Sequence, residues 1–249
     1  MTPPLDSAAP VPRPAPPRTV APVALLDLRA SEVAELRYPA ACVLVFAGVP
    51  GAGKSTALHR FFAAGPDAEE PVRTPTGALV LDSHHTRNRL RHRLGAIPYA
   101  LWRPLVHLLH YRAIRDALRA ADGPVAIHDC ATFGWSRRLI TRWAVEGRRE
   151  LHMVLIDVPA TQARHGQFTR GRRVNGLAFT AHCHRWERMM RELGARTGTS
   201  ATSADATPLA AASAVIIDRP TLSAVTRIVF DPPELRAPAP SARPASPAP

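Results

Sequence analysis

The stretch Gly48-Val49-Pro50-Gly51-Ala52-Gly53-Lys54-Ser55-Thr56 constrains the fold of this chain more than any other. It matches the phosphate-binding P-loop pattern, in which Gly and four further residues precede Gly-Lys-Ser. The apolar segment 42–47 in front of it predicts a strand buried on both faces of a parallel sheet. Residues 55–64 behind it predict a helix that ends before Gly65 and Pro66. The glycines are therefore expected on a strand-to-helix turn of an α/β fold.

The residue types in this turn suit the binding of a phosphate chain. Glycines let successive N–H groups point inward at phosphate oxygens, and the N-terminus of the helix adds to the attraction. Lys54 is predicted to reach the β- and γ-phosphates, and the Ser55 hydroxyl is predicted to bind Mg²⁺. Lys54 is also the only lysine among 32 Lys and Arg residues, which favours a specific role for it. The predicted nucleotide-binding residues are Gly48, Pro50, Gly51, Ala52, Gly53, Lys54, Ser55 and Thr56.

The two ends of the 249-residue chain differ in composition from its middle. Residues 1–20 and 236–249 are rich in Pro, Ala, Ser and Arg without apolar periodicity, which predicts disordered tails around one folded domain at 21–235. Three widely spaced cysteines predict reduced thiols. There is no signal-peptide pattern at the N-terminus and no apolar run near the ~18 residues of a membrane span. We therefore expect a cytoplasmic protein without membrane contact.

The formal net charge of +12 raises the question of a nucleic-acid partner. The basic residues are scattered over the predicted helices and are not interleaved with surface aromatic residues, as a stacking platform for bases requires. A nucleic-acid partner is thus possible but not favoured, and an anionic substrate fits the same charge. The composition leaves the oligomeric state open.

Four more apolar segments predict strands, at 78–81, 125–128, 151–156 and 214–217. Helical patterns separate them, so the prediction is a three-layer α/β sandwich with five parallel strands. We also expect a short extended segment at 23–28 and short helical structure at 31–36, both at the edge of the sheet, a closing helix at 222–230, and Ser136 as the cap of the helix that follows the third strand.

Each of these four strands is followed by an aspartate. Asp157 and Asp218 are expected to be turn or cap residues, whereas Asp82 and Asp129 are candidates for the site. Ligands of open parallel sheets bind at the carboxyl ends of strands, so Asp82 is expected to face the γ-phosphate or an acceptor. The alternative is that Asp82 caps the helix after it. An apolar strand that ends in Asp129 matches the Walker B pattern, whose carboxylate holds the water shell of Mg²⁺. The predicted metal residues are therefore Ser55 and Asp129.

Over about residues 41–230 the chain resembles the P-loop kinases related to polynucleotide kinase, gluconate kinase and the zeta toxins, and more broadly AAA-type ATP-binding proteins. The resemblance implies a five-stranded sheet in the order 2-3-1-4-5. It implies that Asp82 activates the acceptor hydroxyl and that Arg87 binds a phosphate of the acceptor. It also implies a lid segment in which Arg170 and Arg173 reach the transferring phosphate. With Lys54 and Asp82, these two arginines are the predicted catalytic residues.

The predicted activity is phosphoryl transfer from ATP, with Mg²⁺, to the hydroxyl of a small molecule or nucleotide. An ATPase or nucleotide-dependent switch with a protein or nucleic-acid partner is the alternative, and a module that only binds ATP is a third possibility. A glutamate after Asp129 would favour hydrolysis, but Cys130 stands there. The pair His84-His85 and the long helical segment 99–121 depart from the family pattern, so the acceptor stays open.

Overall fold

Seven strands form the central sheet in the computed structural model, which describes residues 18–168, 175–197 and 209–232. In chain order the elements are β1 (Thr19–Val20), β2 (Leu25–Asp27), β3 (Glu35–Tyr38), β4 (Val43–Ala47), α1 (Lys54–Phe62), β5 (Val72–Arg73), β6 (Leu79–Leu81), α2 (Ser83–Leu94), α3 (Tyr99–Ala120), β7 (Val125–His128), α4 (Gly134–Glu146), β8 (Leu151–Ile156), α5 (Ala160–Phe168), α6 (Gly176–Thr197), β9 (Ser213–Ile217), α7 (Arg219–Ala224) and β10 (Arg227–Phe230).

The central sheet has the strand order β2-β9-β8-β4-β7-β6-β5. Neighbouring strands are parallel except at one edge, where β5 runs antiparallel to β6. Every residue of β4, β8 and β9 is buried, as expected for strands with helices on both faces. A second sheet, in the order β1-β3-β10, is parallel throughout. The strand that leads into the P-loop, β4, therefore lies in the middle of the larger sheet.

The predicted five-stranded parallel sheet was wrong in its number of strands and in its uniform direction. The five predicted strands lie side by side as β6-β7-β4-β8-β9, and β2 and β5 extend the sheet at its two edges. Both added strands have only two or three residues and none of these residues is buried. The strand β2 lies within the extended segment predicted at 23–28, whereas β5 lies in a polar segment that has no apolar run. The structure is a mixed seven-stranded sheet within an α/β fold.

Two helical predictions at the small sheet were also wrong. Residues 35–38, which overlap the helical structure predicted at 31–36, form β3. The predicted helix at 222–230 is divided into the end of α7 and the strand β10. The two strands pair with each other along four residues each, and Arg227 forms an ion pair with Glu35. This pairing between distant segments decides their conformation, because local helix propensity is a weak preference.

Aromatic packing ties the small sheet to the P-loop helix. The ring of Phe62, at the end of α1, stacks on Phe230 of β10 with centroids 6.1 Å apart. The same ring meets the edge of Phe46 in β4, also at 6.1 Å. In addition, Arg60 donates to the Val225 carbonyl over 2.7 Å. The P-loop is thus held between a central strand and a helix that is anchored at its far end.

The predicted tails, at 1–20 and 236–249, lie outside the described residues except at 18–20. Within that short range Thr19 and Val20 form β1. The three cysteines are free thiols. Among the helices that the structure describes, none has both the length and the apolar character needed to cross a membrane.

Candidate active site

The P-loop occupies residues 48–53, between β4 and α1, and depends on two glycines with left-handed backbone angles. Gly51 has φ of 91° and Gly53 has φ of 109°, a region in which other residues are strained. A Cβ on Gly51 would also overlap the carbonyl oxygen of Ala163 in α5. From the same helix, the Gln167 side-chain amide donates to the Pro50 carbonyl over 3.0 Å. The loop is therefore shaped both by its own backbone and by the close approach of α5.

The first residue of α1, Lys54, is buried at the loop. Its Nζ donates to the carbonyl oxygens of Gly48 at 2.7 Å and Val49 at 3.0 Å. Among the described residues, no side chain caps the N-terminus of α1, so the first N–H groups of this helix can bind an anion. Ser55 is also buried, one position further into the helix. The arrangement fits the predicted cradle for a phosphate chain.

One cleft connects this loop to the carboxyl end of β7 and the start of α2. Its volume is about 1310 Å³. Seven of the predicted site residues line it together, namely Pro50, Gly51, Gly53, Lys54, Ser55, Arg87 and Asp129. The predicted lid arginines Arg170 and Arg173 lie outside the described residues. Asp82 does not line the cleft, although its neighbours Ser83 and His84 do.

Asp82 is buried beneath the cleft and is hydrogen-bonded to His128, which does line it. The Asp82 Oδ1 atom accepts from His128 Nδ1 at 2.7 Å and from the His84 backbone N–H at 2.9 Å. The second bond makes Asp82 the N-cap of α2, which was the alternative interpretation of this residue. Its other oxygen, Oδ2, is buried without a hydrogen-bond partner among the described residues. Asp82 is thus both a cap and the partner of a histidine at the cleft.

The electrostatics of this buried pair favour an ionised carboxylate. Burial alone would raise the pKa of Asp82, but the charge and hydrogen bond of His128, together with those of His84, hold it well below its ordinary value. Behind the pair, the Nε2 atom of His110 donates to the His128 carbonyl over 3.0 Å. Burial lowers the pKa of His110 to about 4, so its ring is neutral at pH 7. His128 is therefore held from both its side chain and its backbone.

Asp129 also lies within a set of polar contacts. Its Oδ1 accepts from the Tyr111 hydroxyl at 2.8 Å, and its Oδ2 accepts from the Ala131 N–H at 2.8 Å and from Ser136 Oγ at 3.3 Å. Ser136 therefore binds Asp129 from inside α4, whereas Phe133 occupies the capping position that was predicted for it. The Ser55 hydroxyl and the Asp129 carboxylate are hard oxygen ligands of the kind that Mg²⁺ prefers, and this ion usually keeps several waters and binds substrate phosphates as well. The two residues fit a Mg²⁺ ion brought by a nucleotide.

Sequence reasoning missed several residues that shape the site. His128 ends a predicted strand at the same edge of the sheet as Asp82, and that position could have indicated the pair. Tyr111 and His182 lie inside long helices, where no local pattern sets them apart. His182 Nδ1 and Thr132 Oγ1 are 2.7 Å apart. Burial and the nearby charges of Lys54, Arg103 and Arg185 lower the pKa of His182 to about 4.

Comparison with known proteins identifies the family. A family model described as AAA domain matches residues 43–195, more than half of the chain, and the chain belongs to that family. The predicted relationship to the P-loop kinases is thereby confirmed at the level of a kinase-like, nucleotide-binding P-loop domain. No curated protein matches the chain.

Several solved structures are similar to parts of the chain. A structure from the PezAT chromosomal toxin-antitoxin system of Streptococcus pneumoniae is 13% identical, with 54% of this chain and 53% of that chain covered and a TM-score of 0.38. The Deinococcus radiodurans tunicamycin resistance protein is 15% identical (64% and 96% covered, TM-score 0.38), and APE1195 is 15% identical (71% and 85% covered, TM-score 0.37). The chain thus spans about half the length of the first of these. Similarities of this strength say nothing about the acceptor.

Proposed function

We propose that this protein is an ATP-dependent phosphotransferase that moves the γ-phosphate, with Mg²⁺, to a hydroxyl of a small-molecule or nucleotide acceptor. The observation that supports this most directly is the single cleft that joins Lys54 and Ser55 of the P-loop to His128 and Asp129 at the end of β7. Phosphoryl transfer needs little covalent help from a protein and depends on positioning and charge neutralisation. A shared cleft allows both.

On the nucleotide side, the N–H groups of the P-loop and of the first turn of α1 would surround the phosphates. Lys54, which donates to two loop carbonyls, would exchange them for phosphate oxygens. Ser55 and Asp129 would hold Mg²⁺, and the ion when bound would neutralise part of the phosphate charge. Arg170 and Arg173 are proposed to contact the transferring phosphate, as the family resemblance implies.

On the acceptor side, Asp82 is proposed as the base for the acceptor hydroxyl, with Arg87 as a contact for an acceptor phosphate. The Asp82 carboxylate does not line the cleft, and its Oδ1 is hydrogen-bonded to His128, which does. We therefore infer that Asp82 acts through the His128 ring and not by direct contact with the hydroxyl. The alternative is hydrolysis in an ATPase or switch, and Cys130 in place of a glutamate beside Asp129 disfavours it.

The test is ADP production from ATP and Mg²⁺, with and without a panel of hydroxyl acceptors that includes 5′-hydroxyl oligonucleotides. Lys54→Ala should lower acceptor-stimulated turnover by about 10²-fold or more, as expected for the loss of one electrostatic contact to the phosphates. Asp82→Asn, which keeps an N-capping residue, and His128→Gln should lower the stimulated turnover to a similar extent. Arg112→Met, an exposed change on α3 outside the cleft, is the control.

The outcomes separate transfer from hydrolysis. Turnover that rises with one acceptor and is lost in the Lys54 and Asp82 variants supports the kinase. Turnover that is the same without any acceptor and survives Asp82→Asn would place the protein among the ATPases. If Asp82→Asn abolishes stimulation while His128→Gln does not, Asp82 acts without the histidine. Thermal unfolding of each variant shows whether a loss of activity is a loss of fold.

A further inference from the structure

Beyond the P-loop, aromatic rings line the cleft in an arrangement that is set by their own contacts. Tyr99, Tyr111, Phe133 and Trp135 all contribute to the lining. The ring of Trp135 lies 5.4 Å from Tyr111 and 6.2 Å from Phe133, measured between centroids, and the residue is 51% exposed. A single exposed tryptophan needs no explanation. One that is supported by two other rings inside a cleft forms a preorganised surface for a flat ligand.

The same part of the cleft carries positive charge without matching negative charge. Arg87, Arg103 and Arg185 line it, and none of them forms an ion pair with a carboxylate in the ranges that the structure describes. The Nε of Arg103 donates to His107 Nε2 at 3.3 Å. The guanidinium of Arg185 lies 4.6 Å over the Phe133 ring and donates to a carbonyl of its own helix. Most of the donors of these arginines are therefore available to a ligand.

The charges come from different elements but act at one place. The pKa of His182 is lowered to about 4 first by burial and then by Lys54, Arg103 and Arg185, which belong to α1, α3 and α6. Asp129 is the only carboxylate among the described lining residues, and both its oxygens already accept hydrogen bonds. The phosphates of a nucleotide at the P-loop would be met by Lys54 and backbone N–H groups. Arg103 and Arg185, together with Arg87 as the proposed contact for an acceptor phosphate, remain for a second anion.

We propose that the acceptor is a planar ring compound that carries a phosphate or similar anion, with its ring on Trp135 and Phe133 and its anion between Arg103 and Arg185. A nucleoside monophosphate is the simplest compound of this class. Arginine binds phosphate through a planar pair of donors, and flat rings stack on exposed tryptophan. An uncharged, nonplanar acceptor would use neither feature. The assignment rests on the proposed function, in which ATP occupies the P-loop.

The experiment measures binding without turnover, so that its result is independent of phosphate transfer. The full chain is saturated with Mg²⁺ and ADP, which fill the P-loop, and is titrated with UMP, uridine or ribose 5-phosphate in a calorimeter. UMP should bind at least about tenfold more tightly than either fragment, because a stacked base and a paired phosphate each contribute a factor of that order. Trp135→Ala should reduce the affinity for UMP to that for ribose 5-phosphate.

The arginine variants test the other half of the assignment. Arg103→Met and Arg185→Met should each reduce the affinity for UMP about tenfold towards that for uridine, with little effect on uridine itself. The controls lie on the same three helices outside the cleft lining: Val145→Ala on α4, Arg112→Met on α3 and Arg188→Met on α6. These should bind UMP as the unaltered chain does. Conservative Trp135→Phe should keep part of the affinity that Trp135→Ala loses.

Several results would overturn the proposal. Equal affinity for UMP and ribose 5-phosphate would show that the ring contact contributes nothing to binding. Equal affinity for UMP and uridine would show the same of the anion contact. If UMP does not bind, both contacts are excluded. A tenfold loss of ADP affinity in Trp135→Ala would assign the aromatic surface to ATP. If UMP binds as expected but no acceptor accepts phosphate from ATP, the ring-and-anion site stands and the proposed kinase activity fails.

Discussion

The P-loop side and the acceptor side of the cleft position their groups by different means. On the P-loop side the backbone supplies nearly everything, and even the Lys54 ammonium is held by two carbonyl oxygens. On the acceptor side, buried and half-buried polar side chains hold one another in pairs that connect the ends of β6 and β7 with α3 and α6. These pairs are Asp82 with His128, Tyr111 with Asp129, and Thr132 with His182. The first side should therefore be sensitive to any added Cβ, and the second to loss of a hydrogen bond or to a change of pH.

The largest effect is expected on the P-loop side, from Gly51→Ala. The new Cβ would overlap the Ala163 carbonyl, and the residue would have to keep φ near 91°. Backbone strain of this kind costs about 1–3 kcal/mol, and overpacking against a fixed carbonyl adds about as much. We expect the free energy of unfolding in urea to fall by about 4 kcal/mol, with ADP binding weakened at least tenfold.

The matched control is Gly53→Ala, at a glycine of the same loop with φ of 109° but with no atom within 4 Å of a new Cβ. Gly53→Ala should lower the free energy of unfolding only by the cost of the backbone angle, about 1–2 kcal/mol. If the two substitutions cost the same, the contact with α5 contributes nothing and the loop is fixed only by its own angles.

The P-loop could be predicted from the sequence because the residues that define it are consecutive in the chain. Nine consecutive residues define the turn, and the apolar segment before it identifies the strand. Asp82 was located in the same way, since it follows an apolar run. Its pairing with His128, 46 positions away, was not predicted, although both residues lie at the carboxyl ends of predicted strands. Thr132 and His182 are 50 positions apart, and no spacing rule connects them.

The small sheet shows the same limit at the level of secondary structure. The strand β10 pairs with β3, and the ion pair between Arg227 and Glu35 joins residues 192 positions apart. Each segment is short and has a weak pattern of its own, so it takes the conformation that its distant partner allows. The edge strand β5 was not predicted for the same reason, whereas β2 lies within the extended segment expected at 23–28.

A pH change is expected to act through the buried histidines of the acceptor side. Burial lowers the pKa of His110 to about 4, below its ordinary value near 6.5. As the pH falls below 6.5, the unfolded chain binds a proton at this residue while the folded chain does not, so folding becomes less favourable. His110 alone should remove about 2 kcal/mol from the free energy of unfolding between pH 7 and pH 5.

The measurement is urea unfolding at several pH values for the unaltered chain and for His110→Gln. Glutamine keeps an N–H donor for the His128 carbonyl but does not titrate. Between pH 7 and pH 5 the free energy of unfolding of His110→Gln should therefore fall by about 2 kcal/mol less than that of the unaltered chain. Parallel curves for the two proteins would show that His110 is protonated equally in the folded and unfolded states.

The smallest effect is expected from Tyr111→Phe, which removes one hydrogen bond from the acceptor side and leaves the ring in place. Burial raises the pKa of the Tyr111 hydroxyl, which thus stays protonated as the donor to Asp129 over 2.8 Å. Because Asp129 keeps its bonds from Ala131 and Ser136, the loss should be about 1 kcal/mol in the free energy of unfolding. Tyr99→Phe, on the same helix and lining the same cleft, removes a hydroxyl that has no protein partner among the described residues. An equal loss of free energy of unfolding in both variants would mean that the hydrogen bond from Tyr111 to Asp129 does not stabilise the acceptor side. Packing and backbone conformation would then position its groups, as on the P-loop side.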